Sequence, residues 1–114
     1  MTWFSRRRGR GAPTGPDGPS RADVEAATAH LRDFVSTRAG VEMYVEPRTT
    51  VTPTTVVLVA TSGEWTRRRI SGPQAAVDLA RGLGVPVYDV QQTGYPGRMR
   101  EWTSRRRREP DATT

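Results

Sequence analysis

The sequence predicts one small α+β domain, and three observations predict it. The chain has 114 residues, enough for a single domain. Apolar residues recur at helical spacing in two segments and at strand spacing in four, in the order α-β-β-β-α-β. There is no internal repeat, and nowhere do ~18 apolar residues run together, so no segment is expected to span a membrane.

Taken in order, residues 5–19, "SRRRGRGAPTGPDGP", mix Arg, Gly and Pro without an apolar period. Such a segment buries too little to offset its ordering entropy, so residues 1–19 are read as a disordered Arg/Gly/Pro-rich arm. Ser20 is expected to cap the first helix, with Asp23 three residues on in a capping-box arrangement. Val24, Ala27, Leu31, Phe34 and Val35 give that helix its stripe, and Gly40 stops it, which places it at about 21–38.

"VEMYVEP" alternates, with Val41, Met43 and Val45 on one side and Glu42, Tyr44 and Glu46 on the other, and Pro47 ends it. "TVVLVA" is apolar on both faces and belongs in the middle of a sheet. Ser62-Gly63 reads as a turn dipeptide, so "GEWTRRRI" folds back as a hairpin partner. Counting outward from a two-residue turn pairs Ala60 with Trp65, Leu58 with Arg67 and Val56 with Arg69. Trp65, Arg67 and Arg69 then share one face, while Thr66, Arg68 and Ile70 take the other.

Ser71 is expected to cap the second helix, with Pro73 at its first position. Ala76, Leu79, Ala80 and Leu83 form its stripe, and Gly84 ends it. "VPVYDV" is a last strand, placed at an edge by Pro86 and joined through a right-handed crossover. Residues 20–96 thus form the domain: a mixed sheet with two helices on one face. Residues 97–114 add a basic C-terminal helix carrying Met99 and Trp102, then a polar tail.

All 18 basic residues are arginine, against 12 carboxylates, for a formal charge of +6. Residues 21–96 balance to zero, so the surplus lies in the two flexible arms. Basic arms around a neutral fold point to nucleic acid, an acidic membrane surface or an acidic protein. Cysteine is absent, which excludes disulfides and thiolate chemistry. The N-terminus has arginines with no apolar stretch behind them, so it is not read as a signal peptide, and a cytoplasmic location is expected.

Catalysis finds little footing. His30, the one histidine, sits beside the apolar stripe of the first helix, where a partly solvated surface role is expected. No lysine or cysteine can act as nucleophile, and no second histidine activates a hydroxyl. Glu42, Glu46 and Asp89 are three carboxylates that could approach one Mg²⁺, or be solvated acids paired with Arg67 or Arg69. "GRGAPTG" and "GLGVP" do not match a dinucleotide-binding loop and do not link a strand to a helix. The expectation is no catalytic residue, no metal and no cofactor.

The element order resembles the core of restriction-endonuclease-like nucleases. Their catalytic acid and acid-x-lysine have no counterpart in "VVLVA" or anywhere in this lysine-free chain, so that activity is rejected. Over residues 21–84 the order also resembles double-stranded-RNA-binding domains, although "SGPQAA" lacks their basic cluster at the second helix. Across residues 40–103, "EPRTTVTPTTVVLVA", "GEWTRRRI", "LGVPVYDV" and "GYPGRMREW" resemble a group of short uncharacterised actinobacterial proteins. Some of these are labelled oxidoreductases; the resemblance implies a small cytoplasmic protein and carries over no site residue.

The sequence therefore points to a non-enzymatic protein that binds RNA or a ribonucleoprotein. Tyr44 and Trp65 would stack on bases and Arg67 and Arg69 would meet phosphates. Arg6, Arg7, Arg8 and Arg10, with Arg105, Arg106, Arg107 and Arg108, would add salt-sensitive attraction. The plain alternative has Trp65 and the arginine stems covering the open sheet face near Tyr44, with the guanidinium groups in water or on Glu42 and Glu46. A protein-interaction module using Trp102 and Met99 is a second alternative, unless that helix folds back over the sheet. Membrane contact through Trp3 and Phe4 ranks last.

Overall fold

A computed structural model of the chain describes residues 20–108. Its elements are α1 (Arg21–Thr37), β1 (Glu42–Glu46), β2 (Thr55–Val59), β3 (Trp65–Arg69), α2 (Pro73–Leu83), β4 (Val87–Asp89), α3 (Val90–Thr93) and α4 (Gly97–Arg108). The α-β-β-β-α-β order is as the sequence predicts. The single-turn α3 is an addition, capped by the Asp89 carboxylate, which accepts from the Gln91 amide. The expected arm over residues 1–19 and the tail beyond Arg108 lie outside the described residues.

The sheet runs β3-β2-β1-β4, antiparallel throughout except for the parallel β1–β4 pair. β2 is central, as its doubly apolar sequence demands, and β4 is an edge. On one face Met43, Val45, Val56, Leu58 and Ile70 meet Leu31 and Phe34 of α1 and Ala76 and Ala80 of α2. On the other, Tyr44, Val57 and Val59 are covered by Met99 of α4, with Trp65 packed alongside. The full burial of Val57 and Val59 on that second face is what the apolar run anticipates, since water there would cost ~25 cal/mol per Å².

Local chemistry sets the ends. α1 begins at the expected capping box: the Ser20 hydroxyl accepts from the Asp23 amide and the Asp23 carboxylate accepts from the Ser20 amide. α2 corrects an expectation. Its N-cap is Gly72, with no side-chain cap, and Ser71 lies one residue too early to reach the first turn. Pro73 opens the helix regardless, because its missing N–H would have been an orphan there.

The hairpin register is also corrected by one residue. Trp65 pairs with Val59, Thr66 with Leu58, Arg67 with Val57, Arg68 with Val56 and Arg69 with Thr55. Ala60 donates to the Glu64 carbonyl and Gly63 donates back to Ala60, so Thr61, Ser62 and Gly63 form a three-residue loop. Gly63 at φ +98° supplies the backbone this loop type wants at its last position. A two-residue count about Ser62-Gly63 misses that extra residue.

Candidate functional site

The one-residue shift decides what the β3 side chains face. Trp65 and Arg67 lie on the Val57–Val59 side, beneath and beside α4. Trp65 is half-buried, and its indole N–H donates to the Thr103 hydroxyl at 3.0 Å. Tyr44 is 6% exposed, and its hydroxyl donates to Glu42 at 2.8 Å. Its ring is therefore walled in by Met99 and by Tyr88, whose centroid is 5.4 Å away. Tyr44 offers no open face of the kind base stacking requires, and the half-buried Trp65 ring has the Arg67 guanidinium 5.3 Å from its centre.

Arg67 is held in a fork. Its Nε and Nη2 donate to the two carboxylate oxygens of Glu46 at 2.8 and 2.9 Å. The same carboxylate accepts from the Thr55 and Tyr95 hydroxyls. Burial pulls the Glu46 pKa up, but the bonds from Arg67, Thr55 and Tyr95 outweigh it and hold it below the ordinary value. Glu42 is matched likewise: Arg98 and Tyr44 donate to it, and its pKa falls through those two bonds. Arg98 also donates through Nε to the Ala60 carbonyl at 2.9 Å, pinning α4 to the end of β2.

With Glu42 and Glu46 committed to arginines and Asp89 to its cap, these three acids do not converge. Among the described residues no group of three metal-ligating side chains is present. Nor is any helix long and apolar enough to cross a membrane.

Arg68 and Arg69 are exposed. Arg68 emerges on the α1 side, and its Nη1 donates to the Arg67 carbonyl at 2.7 Å. Beside it, His30 shares a 2.8 Å hydrogen bond between Nε2 and the Thr66 hydroxyl. Burial, then the Arg68 charge, lower the His30 pKa against an opposing pull from Asp33. Asp23, Ala26, Ala27 and His30 form one α1 stripe, and with Arg67–Arg69 they wall a groove of about 700 Å³. The i, i+3, i+4, i+7 spacing of that stripe was readable in the sequence; its position beside the β3 edge was not.

Arg105, Arg106, Arg107 and Arg108 are all exposed and form the last turn of α4. Arg105 reaches toward the Ser62 carbonyl at 3.4 Å, and the Arg106 guanidinium lies 5.3 Å from the Trp102 ring centre. Because Trp65 touches Thr103 and Ser62 faces Arg105, this cluster sits at the hairpin end of β3. Arg68 and Arg69 mark the opposite end, four residues or ~13 Å along the strand. Arg68 and Arg69 thus lie apart from the α4 arginines, and Arg21, Arg32, Arg48, Arg81 and Arg100 are exposed elsewhere. Arg6, Arg7, Arg8 and Arg10 lie outside the described residues.

Sequence reasoning passed over Arg98, Tyr88 and Tyr95. The two tyrosines are large apolar groups left at the surface, 37% and 38% exposed. Alternation in "VPVYDV" could have flagged Tyr88. Comparison with family models, with curated proteins and with solved structures returns no match.

Proposed function

We propose that the protein is a non-enzymatic, cytoplasmic binder of RNA or of a ribonucleoprotein surface, held by arginine–phosphate contacts. The observation that carries this reading is the last turn of α4, where four successive exposed arginines project. Successive helical residues are about 100° apart, so these cations surround the helix end and suit a phosphate backbone approached from several sides. Arg68 and Arg69 supply a second contact. The reading keeps the arginines named from the sequence, drops the Tyr44 and Trp65 rings as stacking groups, and treats Arg67 as structural.

A bland role competes: cations on the last turn of a helix are stabilised by its dipole by about 0.3–1 kcal/mol each. Binding of generic RNA and of duplex DNA at about 50 and about 200 mM salt separates the two. The expected result is binding that collapses over this range and is lost in a protein carrying R105A, R106A, R107A and R108A. Absence of binding at the lower salt would leave the cluster a helix cap. The interaction-module alternative keeps Trp102, which is partly exposed, while Met99 is 9% exposed and packed on Val57 and Val59.

A further inference from the structure

The outer edge of β3, whose Arg68 and Arg69 the nucleic-acid reading also uses, carries a second binding feature that rests on backbone geometry. In an antiparallel ladder, alternate residues turn their N–H and C=O toward the partner strand and the others turn them away. Ala60 donates to Glu64, and Ile70 donates to Thr54. Glu64, Thr66, Arg68 and Ile70 are therefore the inward residues. Trp65, Arg67 and Arg69 point their backbone groups outward, and among the described residues no strand pairs on that side. Repeating N–H and C=O groups about 7 Å apart are a template for another strand.

We propose that an acidic, extended peptide segment adds to this edge as a fifth strand. The backbone pattern selects polypeptide, because a β-strand offers alternating N–H and C=O groups at the same ~7 Å repeat, whereas the phosphates of a nucleic acid only accept. Charge selects acidic side chains. Arg68 projects on the α1 side of this edge, where it lines the groove with Arg69, so an added strand meets positive charge along it. A second copy of β3 would set arginine against arginine, and the arginine-rich residues 6–10 of this chain would fare no better.

A groove lies beside the edge. Ala26 and Ala27 give it a low apolar wall, with His30 on the same side and Asp23 as the one acid. Arg68 closes the edge by donating to the outward Arg67 carbonyl. Binding would move that guanidinium from the carbonyl to a peptide carboxylate and free the carbonyl for the incoming N–H.

The test uses the full chain and a blocked peptide, Val-Glu-Glu-Val-Glu-Glu-Val, at low salt, with amide exchange followed by NMR. Expected are slower exchange at Trp65, Arg67 and Arg69, and roughly tenfold weaker binding when every second peptide amide is N-methylated in one phase but not the other. Arg68→Glu should weaken binding at least as much, while the R105A, R106A, R107A and R108A protein binds the peptide normally even if it has lost RNA. Equal binding of both N-methylated peptides would overturn strand addition in favour of charge alone. Protection of the same three amides by an oligouridylate and not by the peptide would make the occupant nucleic acid. No binding of the peptide would make the arginines a guard against edge pairing.

Discussion

Glu46 shows how one carboxylate can decide the role of a charged strand. It accepts from Arg67, Thr55 and Tyr95, so it ties β1 to β2, to β3 and to the segment before α4. Hydrogen bonds to a charged group contribute about 1.5–3 kcal/mol when both partners are held, so Glu46→Ala should cost roughly that, read as a drop in Tm or in the urea midpoint. Glu42, Glu46 and Glu64 all have pKa values held below the ordinary 4.5. Their stabilisation is complete above that value and is lost as pH falls through the lower folded-state values. Tyr44 works at the other end of the scale: burial, and then Glu42, push it up to about 12 from 10.0. Its stabilisation holds below pH 10 and fades as pH rises toward 12, and Tyr44→Phe should remove that alkaline limb from the stability profile. The pairing of sheet-face arginines with Glu42 or Glu46 was legible as a possibility from strand alternation. Which arginine takes which acid was not, because Arg98 comes from an element whose position the sequence does not fix.

Among the elements, the β2–β3 hairpin and α4 are interlocked. A Cβ placed on Gly63 would stand 2.8 Å from the Trp102 Cβ and 2.9 Å from the Arg98 carbonyl carbon. Gly63→Ala should therefore lift α4 from the sheet, shift tryptophan fluorescence to the red and lose several kcal/mol, as a cavity or strain in a core does. Gly84, the left-handed C-cap of α2 at φ +73°, has open space around its Cβ. Gly84→Ala should cost only about 1–2 kcal/mol, the conformational penalty alone. Losing the capping box through Ser20→Ala should cost about 1 kcal/mol by the same denaturation measurement. The boundaries of α1, α2 and β2 were readable because caps, proline and β-branched runs are local signals. The hairpin register was not, since two- and three-residue loops differ by a glycine conformation that the letters Ser-Gly do not specify.

At the scale of the molecule, the sheet is covered on both faces, by α1 and α2 on one and by α4 on the other. That arrangement turns Tyr44, Trp65 and Met99, which read as binding groups in the sequence, into packing groups. It also leaves Arg68 and Arg69 at one end of β3 and the α4 arginines at the other. If phosphate contacts carry RNA binding, Arg68→Glu should lower the salt slope by about one unit, and each α4 arginine replaced singly by alanine should lower it by about as much. The fold class and the composition of the basic segments were legible because they depend on sums over many residues. The availability of a given ring was not, because it depends on where a distant helix lands. That helix has a consequence for biosynthesis. Chains emerge from the ribosome N-terminus first, so all four strands are delivered before α4. Until Met99 follows, Val57, Val59 and Tyr44 present an uncovered apolar face, and a nascent chain halted before Gly97 should be a chaperone client where the chain through Arg108 is not.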